Sequence, residues 1–112
     1  MKMTFEERGN VLILHLTEQR LDARCAPAFR AQLLQKIEAG SLLIVIDFSK
    51  TDFVDSSGLS ALISSIRRMG PKGGLAISGA KGAVRSLFAL TRMDLVFPMH
   101  DTVDAAVARL AG

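Results

Sequence analysis

The sequence predicts a small α/β domain in which about four helices pack on a mixed sheet of four to five strands. Strand-like and helix-like hydrophobic patterns alternate along almost the whole chain. The apolar run from Leu42 to Phe48 is typical of a parallel strand that is covered on both faces. At 112 residues the chain has the size of one domain, so we expect residues 1–112 to form a single domain.

The first two predicted strands form a hairpin. Val11 to Leu16 is apolar along most of its length, and Thr4 to Arg8 before it has a weaker strand pattern. Gly9 and Asn10 lie between them as a tight turn, which favours antiparallel pairing.

Two helices are predicted on either side of the apolar strand. The first begins near Pro27, a residue that a first helical turn tolerates, and it ends at Gly40. The second is predicted up to Gly70 and Pro71, which end it. The apolar positions recur at helical spacing in both: Ala26, Phe29, Leu33 and Ile37 in the first, and Leu59, Leu62, Ile63 and Ile66 in the second.

The last third of the chain continues the alternation. Leu75 to Ser78 reads as a short strand, and Leu95 to Phe97 as a short edge strand, where the following Pro98 is acceptable. Asp101 is predicted to be the N-cap of a final helix, with Asp104 near its first turn. The inward faces of the two helices predicted here consist of Val84, Leu87, Phe88 and Thr91, then Val103, Ala106, Val107 and Leu110. Strand–helix–strand crossovers make the strands after the hairpin parallel.

The segment from Phe53 to Leu59, FVDSSGL, places an acid and two hydroxyls where a strand hands over to a helix. The first N–H groups of a helix lack intrahelical partners and carry partial positive charge, so Asp and Ser are suited to cap them. From the residues alone, capping is the favoured role of Ser56, and Ser57 could serve instead. The same position can also receive a phosphate group.

The motif and its surroundings resemble a known family. Val45 to Phe48 (VIDF) followed by Phe53 to Leu59 looks like the signature of the bacterial anti-sigma-factor antagonists, which belong to the wider family of STAS domains. Arg20 to Ala23 resembles the Leu-Asp turn of that family before its first helix, and Gly73 to Ile77 resembles its last central strand. The resemblance implies a STAS-like fold along almost the entire chain.

The resemblance also implies a site and partners. Ser56 maps onto the serine that a partner kinase phosphorylates, and the expected partner-binding residues are Asp22, Asp55, Ser56, Ser57, Gly58 and Leu59. Asp55 is expected to orient the loop or the hydroxyl, and Gly58 to let the backbone of a partner approach closely. The expected partners are an anti-sigma factor that is also a Ser kinase, which uses its own ATP and Mg²⁺, and a Ser phosphatase that resets the switch.

The sequence is also compatible with two other functions. One is a STAS module that controls a target other than a sigma factor, such as a secretion or second-messenger system, by the same partner switching. The other is a STAS subunit of a transporter, in which the serine surface is a fixed docking site and is never phosphorylated.

Composition narrows the class of protein. No run approaches the ~20 apolar residues of a membrane span, and acids stand where a signal peptide would be apolar, so we expect a cytoplasmic protein without membrane contact. Between Ser56 and Met93 there are six basic residues and no acid. This distribution indicates either a basic face for an acidic protein partner, nucleotide phosphates or nucleic acid, or a solvated set of helix ends and loops. We expect no direct nucleic-acid binding, because this stretch has a single aromatic residue. We also expect a monomer.

Catalysis is not expected. A serine nucleophile needs a base, and neither His15, inside an apolar strand, nor His100, before the last helix, is predicted to lie near Ser56. The single Cys25 is interpreted as a small packed residue at a helix start. There is no Cys/His cluster for a metal and no phosphate-binding loop of the usual spacing, so we expect no catalytic residue, no metal and no cofactor.

Overall fold

A computed structural model describes residues 2–111. Its strands are β1 (Met3–Arg8), β2 (Val11–Leu16), β3 (Arg20–Leu21), β4 (Leu43–Asp47), β5 (Phe53–Val54), β6 (Gly74–Ser78) and β7 (Met99–His100). Its α-helices are α1 (Ala26–Glu38), α2 (Ser56–Met69), α3 (Gly82–Leu90) and α4 (Val103–Ala111), with a 3₁₀ helix at Met93–Leu95. No helix within residues 2–111 is long and apolar enough to cross a membrane.

Five strands form one mixed sheet in the order β1-β2-β4-β6-β7. β1 is antiparallel to β2 across a turn in which Gly9 has a positive φ of 58°, and the other neighbours are parallel. β3 and β5 pair separately as a parallel two-residue ribbon. The predicted fold class, a mixed sheet with four packed helices, is confirmed.

The two faces of the sheet carry different helices. Alternate residues of a strand point to opposite faces, and one set, including Leu14 and Ile46, packs with the core residues of α1, α2 and α3. The other set, including Ile13 and Val45, packs with Ala106 of α4. Ile46 and the predicted core residue Leu62 of α2 are both fully buried, so the helical register read from the sequence is correct.

Two predictions for the last third are wrong. Leu95 to Phe97 is not an edge strand, because Leu95 is the last residue of the 3₁₀ helix and a turn follows it. Phe97 is fully buried, with its ring nearly perpendicular to that of Phe88. The edge strand is β7, which follows Pro98. The N–H groups of Ile77 and Gly79 donate to the carbonyls of Pro98 and His100, at 2.9 Å and 3.0 Å. Asp101 is not the N-cap of α4. Thr102 is in that position: its Oγ1 accepts the N–H of Ala105 at 3.1 Å, while the Asp101 carboxylate lies 3.4 Å from Arg85.

Both histidines belong to a polar row on the α4 face. The register aligns His15 with Asp47, Asp47 with Ser78, and Ser78 with His100, so all four side chains share one side of the sheet. Nδ1 of His15 lies 2.7 Å from Oδ2 of Asp47, and its Nε2 lies 2.9 Å from Oε1 of Glu6. The ring thus bridges two carboxylates.

This arrangement shifts three pKa values. Burial of the ring is the largest single influence on His15 and disfavours its charge, but the hydrogen bonds to Glu6 and Asp47 outweigh it and raise the pKa of His15 above 6.5. The pKa of Glu6 is lowered, chiefly by the hydrogen bond with His15. Burial of the Asp47 carboxyl pushes its pKa upward, yet bonds from His15 and the Ser49 N–H lower it overall.

We therefore expect His15 to stabilise the fold in a pH-dependent way. A histidine with a raised pKa stabilises the folded state fully at pH values below its unfolded pKa, and this stabilisation is lost as the pH rises through its folded pKa. A carboxyl group with a lowered pKa stabilises the folded state above its unfolded pKa, and this stabilisation is lost as the pH falls through its folded pKa. The cluster of His15, Glu6 and Asp47 should therefore stabilise the fold most between pH 4.5, the ordinary pKa of Glu, and pH 6.5, the ordinary pKa of His. His15→Gln should therefore cost more stability in urea melts at about pH 5.5 than at about pH 8.5. A His100→Gln control that loses the same pH-dependent increment would contradict the assignment to His15.

Candidate functional site

Two loops leave the carboxyl ends of the neighbouring strands β2 and β4 and are joined to each other. The ribbon of β3 and β5 is one connection, and it is extended on both sides by hydrogen bonds. The N–H of Asp52 donates to the carbonyl of Gln19 at 2.8 Å, and the N–H of Asp55 donates to that of Leu21 at 3.2 Å. The fully buried Thr51 donates its hydroxyl to the carbonyl of Glu18 at 2.9 Å. The two loops therefore form one platform from which α2 starts.

Asp55 is the N-cap of α2. Its backbone is extended, and Oδ1 accepts the N–H groups of Ser57 at 2.9 Å and Gly58 at 3.3 Å. This is the usual capping geometry, and it satisfies two N–H groups that the helix cannot pair itself. Neither Ser56 nor Ser57 is the cap, which corrects the role that the residues alone favour.

Ser56 is the first residue of α2 and is exposed to solvent, and Ser57 beside it is partly exposed. Since Asp55 does the capping, the Ser56 hydroxyl is not committed to holding the helix. It stands at the positive end of the helix dipole, on the side of the sheet opposite the histidine row. The geometry thus offers an accessible acceptor hydroxyl, and both histidines among residues 2–111 lie on the other side of the sheet.

Gly58 and Leu59 lie beneath the exposed start of α2. Leu59 is only 8 % exposed and belongs to the core, and Gly58 is buried. A Cβ on Gly58 would sit 2.8 Å from Cγ1 of Val54 and 2.9 Å from Cγ of Leu21, closer than real Cβ contacts come. The glycine therefore makes room for the β3–β5 ribbon of its own chain. The sequence-based expectation that it makes room for the backbone of a partner is not needed to explain it.

Asp22 holds the other loop in shape. Its side chain is 15 % exposed and accepts the N–H of Arg24 at 3.1 Å, with the Arg24 guanidinium at 3.4 Å. Burial pushes the pKa of Asp22 upward, but these bonds from Arg24 lower it overall. The carbonyl of Asp22 also accepts the N–H of Ala26 at 2.8 Å, which fixes the start of α1. Cys25 is partly exposed there and donates its thiol to the carbonyl of Arg20 at 3.2 Å.

Sequence reasoning missed the ribbon and one contact that rigidifies it. The guanidinium of Arg20 lies 4.1 Å from the ring centre of Phe53, a cation–π contact across β3 and β5. Two-residue strands leave no periodic pattern, so hydrophobicity could not reveal them. The only signal was Phe53-Val54, two residues that favour strands, directly before the capping Asp55.

The site is thus a serine at a helix start, presented on two joined loops of a small mixed α/β fold. The sequence model for the STAS domain matches residues 2–106, almost the entire chain, and the protein therefore belongs to the STAS domain family.

Relatives agree with this assignment. BtrV of Bordetella bronchiseptica, provisionally described as an anti-sigma factor antagonist, is 25 % identical over 109 residues, which is 96 % of this chain and 93 % of BtrV. An anti-sigma factor antagonist from Mycobacterium paratuberculosis has the same fold, with a TM-score of 0.91 at 24 % identity over 99 % of this chain and 94 % of that one. Phosphorylated SpoIIAA, a cell fate determinant of Bacillus, superposes with a TM-score of 0.74 at 21 % identity over 96 % of this chain and 98 % of its own.

Proposed function

We propose that this protein is an anti-sigma-factor antagonist that works as a partner switch at Ser56. Unphosphorylated, it binds an anti-sigma factor that is also a Ser kinase, and the sigma factor is set free. The kinase transfers phosphate to Ser56 and so releases the antagonist, and a Ser phosphatase resets it. The proposed setting is the cytoplasm, and the protein itself catalyses nothing.

The observation that carries this proposal is that Asp55, and not Ser56, caps α2. Because Asp55 caps α2, the exposed Ser56 hydroxyl can be modified without breaking the helix start. We propose that Asp22, Ser56 and Ser57 contact the partner directly. Asp55, Gly58 and Leu59 lie beneath them and act indirectly, because they fix the position of the contacting residues. The names of the relatives support the same class of partner.

Transfer of phosphate tests the proposal directly. Affinity capture with the tagged protein from the source organism, followed by mass spectrometry, should recover a Ser kinase of the anti-sigma class. With that purified kinase and ATP, the wild-type protein should gain one phosphate, Ser56→Ala none, and Ser57→Ala one, because Ser56 is exposed at the helix start and Ser57 is only partly exposed.

Other outcomes would count against the proposal in different ways. Phosphate on Ser57 would shift the site by one residue. Phosphorylation with ATP alone would contradict the non-enzymatic role. Recovery of a transporter with no kinase would favour a fixed subunit, and recovery of a kinase that controls another target would favour a switch outside sigma-factor control.

A further inference from the structure

A groove made of two adjoining depressions lies between the exposed sides of α1 and α2. Its first part, of about 530 Å³, begins beside Ala23 and Ser57 and runs over small side chains such as Pro27 and Ala61. Its second part, of about 410 Å³, shares Arg30 and Ser64 with the first. The groove therefore starts next to Ser56 and ends at the last turn of α2.

The far end of the groove is positively charged. Arg30, Arg67 and Arg68 line it together with one acid, Glu38, whose Oε1 lies 3.0 Å from Arg68. Three guanidinium groups against one carboxylate leave two positive charges. Arg30 and Arg67 are exposed and have no hydrogen-bonded or ionic partner within residues 2–111.

We propose that this groove binds an acidic segment of the anti-sigma factor, and that Arg30 and Arg67 pair with its carboxylates. The inference rests on the proposed function and adds a second contact region to the one around Ser56. The first part of the groove is lined by small, weakly polar side chains, so the backbone of a partner can pack closely against it. The basic end of the groove favours negatively charged residues of the partner. The groove is also continuous with the proposed switch surface, so one partner can occupy both.

The spacing fixes what the partner must present. Ser57 and Arg67 are ten residues apart on α2, which is about 15 Å at the rise of an α-helix. A partner helix lying in the groove would need its acidic residues about three turns from the residue that meets Ser56. At that distance Arg67 serves docking and is too far away to take part in phosphoryl transfer.

Charge reversal at matched positions tests the inference. Arg67 and Arg109 are both exposed and both stand in the last turn of their helices, but Arg109 is on α4, behind the sheet. Arg67→Glu and Arg109→Glu change the net charge equally and should cost similar helix-dipole energy. The probe is the full-length anti-sigma kinase purified after affinity capture, with its Kd measured for each variant.

Arg67→Glu should weaken binding about ten-fold at low salt, and the loss should shrink in about 0.5 M salt, because exposed charges are screened. Arg109→Glu should stay within about two-fold of wild type. With the antagonist as kinase substrate, Arg67→Glu should raise KM and leave kcat unchanged, since it removes binding shared by ground and transition states. Arg30→Glu should behave like Arg67→Glu, and a Glu-to-Lys change in the acidic segment of the kinase should restore affinity.

Ser56→Asp separates this inference from the proposed function. If Ser56→Asp weakens binding and Arg67→Glu does not, the groove is not the docking site, although the switch stands. Equal losses for Arg67→Glu and Arg109→Glu would show a general charge effect and would also overturn the inference. If neither Ser56→Asp nor Arg67→Glu weakens binding, both proposals fail together.

Discussion

Ser56→Asp is expected to weaken binding to the anti-sigma factor by roughly thirty-fold to several thousand-fold. A partner that packs on the start of α2 must desolvate the introduced charge, and a charge buried without a partner in an interface costs about 2–5 kcal/mol. Phosphorylation should act more strongly still, because it adds about −1.5 to −2 charges at neutral pH.

The same substitution should hardly change stability. A negative charge at a helix N-terminus is typically favourable by about 0.3–1 kcal/mol. At Ser56 this gain is opposed by the neighbouring carboxylate of Asp55, which already occupies the N–H groups of Ser57 and Gly58. We therefore expect the melting temperature and circular dichroism spectrum to stay close to those of wild type while affinity collapses.

Isothermal calorimetry or surface plasmon resonance with the purified kinase measures the binding side of this prediction, and urea unfolding measures the other. Ser86→Asp on α3 is a suitable control, since Ser86 is also an exposed helical serine and the net charge changes equally. Undiminished affinity in Ser56→Asp would mean that the start of α2 is not the interface with the kinase.

The fold could be predicted because its strong signals are local and periodic. The apolar run around Ile46 and the helical stripe containing Leu62 each identify a buried element without reference to the rest of the chain. The wrong predictions concern positions where several residue types can play the same structural role. Asp101 and Thr102 are both good N-caps, and only the ion pair of Asp101 with Arg85 and the bond from Ala105 to Thr102 distinguish them.

The site was harder to predict because its geometry depends on contacts between distant parts of the chain. Sequence placed Asp55, Ser56 and Ser57 at a helix start but could not say which of them caps it. It also could not show that Leu21, more than thirty residues earlier, packs beneath Gly58. Such contacts carry no periodic signal, and so the role of the glycine became visible only in the fold.

Gly58→Ala is expected to destabilise the protein by about 1–3 kcal/mol, the usual cost of overpacking a filled core. At an unhindered helix position the same change would gain up to about 1 kcal/mol, because Ala is the better helix former. Here the new methyl group would lie within 3.0 Å of Val54 and Leu21. The nearest atoms are Cγ1 of a stiff β-branched side chain and the branch point of a leucine, so neither can swing aside easily.

Relief of the clash should also move the start of α2 and with it Ser56, so we expect Gly58→Ala to weaken kinase binding although the residue is buried.

A double-mutant cycle with Val54→Ala isolates the cause of the destabilisation. Val54→Ala alone empties core volume and destabilises, but combined with Gly58→Ala it removes the closest contact, so the double variant should be more stable than the sum of the single changes predicts. Urea unfolding of the four proteins gives this coupling energy. If Gly58→Ala stabilises the protein, or if the effects of the two changes simply add, the space beneath the helix is not what requires glycine at this position.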